Sequence, residues 1–263
     1  MPDSAVIPAT TTYRMTSLAW AVAVHNATET LRNEAGMNLS GDGPGPEVAL
    51  LAGLDEPTRA GIAGELTTAG ITDAAGNIHP RWLRALGQAA SAPIRVSLVS
   101  RSDGLSTHCR VDLFEGRGIA VAFTRPVATA ADGRVAAAGV ADVVTVTLLS
   151  ETVLWPVLAR SMPPFPELAA GGGGPDAGPV AAAKATVYLE VQSRAPGTEV
   201  PYRAAGVWAL SDSLYSIRTT GPASARRLVM VETASGDIAR QLVWHVLGAH
   251  EVLARRTRAE SAS

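Results

Sequence analysis

The chain has 263 residues, 47% of them hydrophobic and 17% charged, with a formal net charge of −2. That length suits one large domain or two modest ones, and the apolar fraction is too high for an intrinsically disordered chain. Acidic and basic residues nearly balance, which argues against a general binder of nucleic-acid backbones. A single cysteine excludes an intrachain disulfide framework and any zinc site built on several thiolates.

Near the N-terminus an apolar run from Met15 to Val24 precedes Leu31. Ala21-Val22-Ala23 imitates a signal-peptidase site, but Asp3 stands where a positive region belongs and the apolar core is short. The run is better read as an amphipathic helix capped by Thr16 or Ser17, with Leu18, Ala21, Val22 and Leu31 inward. No apolar stretch reaches the ~20 residues of a membrane span, so the expected location is the cytosol. Gly36 to Pro46 is a Gly/Pro-rich link. A helix is predicted from Asp55 to Ala69, with Asp55 as N-cap, Pro57 in the first turn and Gly70 at C′. Ile71 to Ile78 is extended around a turn at Ala75-Gly76-Asn77. His79 leads into another helix opened by Pro80, with Trp82, Leu83, Leu86 and Ala90 on one stripe.

A β-rich region follows. Ile94 to Arg101 alternates, Asp103-Gly104 turns the chain, and Thr107 to Phe114 places Cys109, Val111 and Leu113 inward and His108, Arg110 and Asp112 outward. Glu115-Gly116 is a tight turn into a strand from Gly118 to Thr124. A polar loop leads to a strand from Val143 to Leu149. A helix from Glu151 to Met162 contains Pro156, which predicts a kink or a later start. Residues 163 to 183, with Pro163-Pro164, Pro166 and Gly171 to Gly178, form a low-complexity connector. Strands are then predicted at Ala185–Ser193, Ala205–Leu210, Leu214–Thr219 and Arg227–Val231. A long helix from Gly236 to Arg256 closes the chain.

Four strands and a helix therefore occur twice, about ninety residues apart, a spacing too long for a solenoid. Val96-Ser97-Leu98 and Val187-Tyr188-Leu189 stand at matching places, with Gly104 and Gly197 in the turns that follow. The expected fold is α+β with a pseudo-twofold internal repeat: eight strands in one antiparallel sheet, helices on one face, and a partly polar face left for another protein.

No catalytic constellation emerges. Ser106 lacks the second glycine of a nucleophile elbow and is read as part of a hairpin turn. Cys109 has the inward parity of a core residue. His245 and His250 lie about 140° apart on a helix and do not converge on a metal. Glu151 and Glu190 could form an acid/base pair only if the fold brought them together, and solvated charges are the default. Residues 55 to 90 resemble a helix-turn-helix, but its second helix offers only Arg81 and Arg84 as contacts. The expectation is a protein without cofactor or metal.

The stretch Glu65-Leu66-Thr67-Thr68-Ala69-Gly70-Ile71-Thr72-Asp73, then Gly76-Asn77-Ile78-His79-Pro80, Leu83, Leu86 and Ala92-Pro93 before a strand, resembles the EspG family. So do the two β-meander halves, the helix exit at Ser161-Met162-Pro163-Pro164 and the final amphipathic helix. The resemblance spans residues 15 to 256. It implies one domain, with an N-terminal half at 15–162 and a C-terminal half at 184–256, whose sheet is flanked by two helical bundles. It also implies a cytosolic, non-enzymatic chaperone of actinobacterial type VII (ESX) secretion that binds the PPE tip of a PE–PPE heterodimer, or another ESX substrate. The family offers no motif from which contact residues carry over, so the candidates come from strand parity and turns: Arg101, Arg110, Asp112, Arg194, Trp208, Asp212, Tyr215 and Arg218. The competing readings are a DNA-binding regulator using residues 55 to 90 and an α+β enzyme of unrecognised class. Oligomeric state is open.

Overall fold

A computed structural model describes residues 10–34, 53–130, 134–139, 141–165, 168, 183–194, 200–222, 227–234 and 236–261. The chain is α+β. Its strands are β1 (Thr10–Thr16), β2 (Ile94–Ser102), β3 (Leu105–Phe114), β4 (Arg117–Thr129), β5 (Val135–Ala137), β6 (Val143–Ser150), β7 (Ala185–Ser193), β8 (Tyr202–Leu210), β9 (Leu214–Thr220) and β10 (Arg227–Glu232). The helices are α1 (Ser17–Glu34), α2 (Glu56–Thr68), α3 (Pro80–Ala90), α4 (Leu154–Ala159) and α5 (Asp237–Ser261), with a 3₁₀ turn at Glu151–Val153.

The strands form one sheet in the order β1-β6-β4-β3-β2-β7-β8-β9-β10, with β5 paired to β4. Every pair whose register is described is antiparallel. From β7 the order runs outward through β8, β9 and β10, and from β2 through β3, β4 and β6 to β1. These two nine-residue strands pair along their full length, with Leu98 opposite Leu189 at the centre. Two elements were not foreseen. The region after Thr124, expected to be a polar loop, continues β4 to Thr129 and folds back as β5; with β1 this makes ten strands rather than eight. The other addition is β1, whose threonine-rich sequence suits an edge strand.

Two hairpins are set by their turns. Asp103 and Gly104 have φ of 50° and 71°, and Glu115 and Gly116 have 48° and 70°. Positive φ at both central positions is the type I′ geometry whose twist matches the flanking strands.

The chain divides into two compact units. The larger contains the described residues of 10–12, 92–141 and 146–261, and the smaller those of 13–91 and 142–145. In the larger unit, α4 and α5 pack on one face of the sheet. Ile94, Val96 and Leu98 of β2, Cys109, Val111 and Leu113 of β3, and Val187, Leu189 and Val191 of β7 meet Leu154, Leu158, Ile238, Leu242 and Val246 in one buried cluster. Gly206 lets the indole of Trp208 lie along β8, because a Cβ there would stand 2.2 Å from the ring. Gly248 likewise lets α5 approach Tyr202.

In the smaller unit, α1 packs on α2 and α3. The Asp55 carboxylate caps α2 by accepting from Thr58 N–H at 2.9 Å, and Gly70 follows at φ 62°. His79 caps α3, its Nδ1 accepting from Arg81 N–H at 3.2 Å. Thr16 caps α1. The inward stripe of α1 is Ala19, Ala23 and Ala27, not the expected Leu18, Ala21, Val22 and Leu31. Small side chains take the line of closest approach, Leu18, Val22 and Leu31 flank it half-buried, and Ala21 is exposed. Trp82 is fully buried, edge-on to Tyr13 and Trp20.

The link at Gly36 to Pro46, the turn at Gly197 and most of the 163–183 connector lie outside the described residues.

Candidate functional site

The sheet of the larger unit has two faces of opposite character. Strand alternation sends one set of side chains into the apolar core and the other to a face where charge is organised in pairs. There Asp112 is held by two guanidiniums, Arg95 at 2.7 Å and Arg110 at 3.1 Å. The carboxylate is nearly buried, while the Arg110 side chain stays 56% exposed. Two strands away, Glu190 accepts from Tyr188 and Gln192 on its own strand and pairs with Arg203 of β8 at 2.8 Å. Burial pushes the Glu190 carboxyl up, but the hydrogen bonds from Tyr188, Gln192 and Arg203 together outweigh it and hold it below the usual carboxylate range.

A third row is purely cationic. Ser106 stands between Arg101 of β2 and Arg125 of β4, and neither guanidinium has an acidic partner among the described residues. Ser106 Oγ lies 3.0 Å from His108 Nε2, and the imidazole stacks on Phe123 with ring centres 4.9 Å apart. Burial, then Arg125 and Arg101, push the His108 pKa down. Ser106 belongs to β3 and not to the turn, and it is 1% exposed. A nucleophilic role would place an imidazolium beside two guanidiniums, which is electrostatically unfavourable.

The other sequence candidates separate. Glu151 pairs with His250 at 2.7 Å, while Glu190 pairs with Arg203. His245 faces Tyr202 instead of His250. Burial pushes the Cys109 thiol up to about 11, the behaviour of an inert core residue. No group of three His, Cys, Asp or Glu side chains suited to a metal occurs among the described residues. Arg81, one of the two basic residues available to a helix-turn-helix, reaches back to the Gly70 carbonyl at 3.3 Å. None of the described helices is long and apolar enough to cross a membrane.

The eight partner-binding candidates do not form one patch. Arg101, Arg110 and Asp112 share the charged face. Arg194 follows β7 and ties its N–H to the Pro93 carbonyl at 2.6 Å. Asp212 is exposed in the β8–β9 turn, where it accepts from Ser211 and from Ser213 N–H. Two placements correct the expectation of an outward Tyr and Trp. Trp208 is 2% exposed because its parity on β8 points into the core, where its indole N–H donates to Asp237 of α5 at 2.9 Å. Tyr215 is also 2% exposed, with its hydroxyl directed at Asp212. Arg218 is exposed, but on the parity of the helix-bearing face, where it donates to Ser216.

The strongest apolar surface lies on α5. Its inner stripe, Ile238, Leu242, Val246 and Ala249, is buried. On the opposite side Val243, Trp244 and Leu247 are 52%, 75% and 62% exposed. A solvent-facing tryptophan flanked by two aliphatic side chains is the kind of surface that docks another protein. The signal was present in the sequence as two apolar stripes on one predicted helix, of which one helix–sheet contact uses only one.

No family model matches the chain, and no curated protein is similar to it. Among solved structures, the chain is similar to the Mycobacterium tuberculosis type VII secretion system chaperone EspG5, solved in complex with a PE25–PPE41 dimer. That similarity covers 92% of this chain and 96% of the other, at 9% sequence identity and a TM-score of 0.46.

Proposed function

We propose that this protein is a cytosolic chaperone of an ESX secretion system that covers the apolar tip of a PPE-type client in a PE–PPE heterodimer and keeps it soluble for export. The observation that carries the reading is the outer stripe of α5. Val243, Trp244 and Leu247 are exposed on a helix whose other side is anchored in the core, so the surface is rigid before a client arrives. Each aliphatic side chain of the client that buries against it contributes about 1.5–3 kcal/mol. The resemblance of residues 15 to 256 to the EspG family supports the choice of client.

The test is co-expression with a PE–PPE pair. The expected result is a soluble complex containing one copy of each chain. Trp244→Ser combined with Leu247→Ser returns the client to the insoluble fraction while this protein keeps its melting temperature. A client equally soluble without this protein, with no complex on gel filtration, refutes the reading.

A further inference from the structure

We propose that Arg101, Ser106 and Arg125, on the face of the sheet opposite α5, form a binding site for a phosphoryl dianion, either free phosphate or the phosphate of a small monoester. The ladders set Arg101 of β2 directly opposite Ser106 of β3, and Ser106 directly opposite Arg125 of β4. Two cations therefore flank one serine, with their Cα atoms about 10 Å apart at the ordinary strand spacing. Neither guanidinium makes a hydrogen bond or an ion pair among the described residues. Elsewhere on this face Arg95 and Arg110 are matched by Asp112, and Arg203 by Glu190.

Arg125 carries an independent sign of a missing ligand. Its Nε is shut away from water and has no hydrogen-bond partner. A buried, unmatched N–H on a permanent cation costs folding free energy, and an anion seated over Ser106 supplies the absent acceptor.

The donor set selects the class of ligand. A carboxylate fills one guanidinium fork and brings one negative charge. Two unmatched forks with a hydroxyl between them suit a tetrahedral dianion with three terminal oxygens. Ser106, 1% exposed, is the floor of the site. With His108 neutral, Nε2–H can donate to Ser106 Oγ across their 3.0 Å contact, which frees the hydroxyl proton for the anion. Burial and the two guanidiniums push the His108 pKa down, and so favour that neutral ring. A nucleic-acid strand fits this face less well. It would need phosphate contacts repeated along the strands, where Arg95 and Arg110 are already engaged by Asp112.

An NMR titration with inorganic phosphate, following the arginine Nε–H resonances at a constant ionic strength of about 0.15 M, tests the site. The expected result is saturable movement of the Arg125 Nε–H signal with a dissociation constant of about 1 mM or tighter, and binding of acetate about tenfold weaker or more. Arg101→Gln and Arg125→Gln each weaken phosphate binding by about tenfold or more, read for the second from the Arg101 signal. Arg125→Lys does not restore it, because an ammonium replaces neither the fork nor the Nε donor. In phosphate-free buffer these variants keep or raise the melting temperature, since each loses a cation that nothing neutralises. Phosphate raises the melting temperature of the parent more than that of the variants. An equal rise in all of them is general exclusion of phosphate from the protein surface and overturns the proposal. Adenosine monophosphate separates the two sources. Competition at about tenfold tighter affinity assigns the site to a phosphate ester, and equal or weaker binding assigns it to the free anion. A chain whose Arg125 signal ignores phosphate, or phosphate binding that both glutamine variants leave intact, overturns the proposal. So does affinity for duplex DNA without affinity for phosphate, which would assign the arginines to nucleic acid.

Discussion

The two faces of the large sheet come from the same strands and the same alternation, yet they do different work. On the helix-bearing face Val111, Leu189, Trp208 and Leu242 exclude water, and stability resides there. On the other face Asp112 and Glu190 are each surrounded by donors, with their arginine partners reaching into solvent. The arginines that reach into solvent can be exchanged at low thermodynamic cost, whereas the buried carboxylates, like the apolar face, cannot. Helix α5 repeats the division around its circumference, with an inner stripe that is structural and an outer stripe that is available.

Substitutions should separate the faces by magnitude. Leu189→Ala, at the centre of the β2–β7 seam, should lower unfolding free energy by about 2–5 kcal/mol in urea titration. Gly206→Ala should cost about 1–3 kcal/mol, because the Trp208 ring must leave its place over the strand, and the shift should appear in tryptophan fluorescence. Glu190→Gln should cost about 1–3 kcal/mol at neutral pH, because the carboxylate is buried and loses charge-assisted hydrogen bonds. Its clearer signature is in acid. The folded carboxyl ionises at lower pH than the unfolded one, so its stabilisation is complete above the ordinary carboxylate range and is lost as pH falls through that range and below it. Thermal melts of Glu190→Gln should therefore show a shallower decline between neutral and acid pH than the parent. Smallest of all, Trp244→Ser alone should change stability by no more than about 0.5 kcal/mol. A large loss there would mean that the outer stripe of α5 is part of the core.

Much of this architecture was legible because the signals were local. Asp103-Gly104 and Glu115-Gly116 announced their hairpins, Asp55 and Gly70 bounded α2, and β7 matches its expected limits because Val187, Leu189 and Val191 alternate cleanly. The failures share a cause. In β8 the run Ala204-Ala205-Gly206 offers small residues on both parities, so nothing local fixed which way Trp208 would point. Its direction is decided by Asp237 and the core, distant in the chain. Asp112 had the expected parity, but the flanking arginines that bury it sit on its own and a neighbouring strand. The outer stripe of α5 was missed because the last helix was read as amphipathic, with a single apolar side.

The β2–β7 seam has a consequence for how the chain assembles. Each meander can zip up from its own tight turns, but the central pair joins segments separated by the whole first meander, so its closure waits on a long loop. Amides in the β2–β3 and β3–β4 hairpins should gain exchange protection before those that bridge Leu98 and Leu189. A ribosome-bound chain would then hold a half-sheet with one raw border until the second meander emerges.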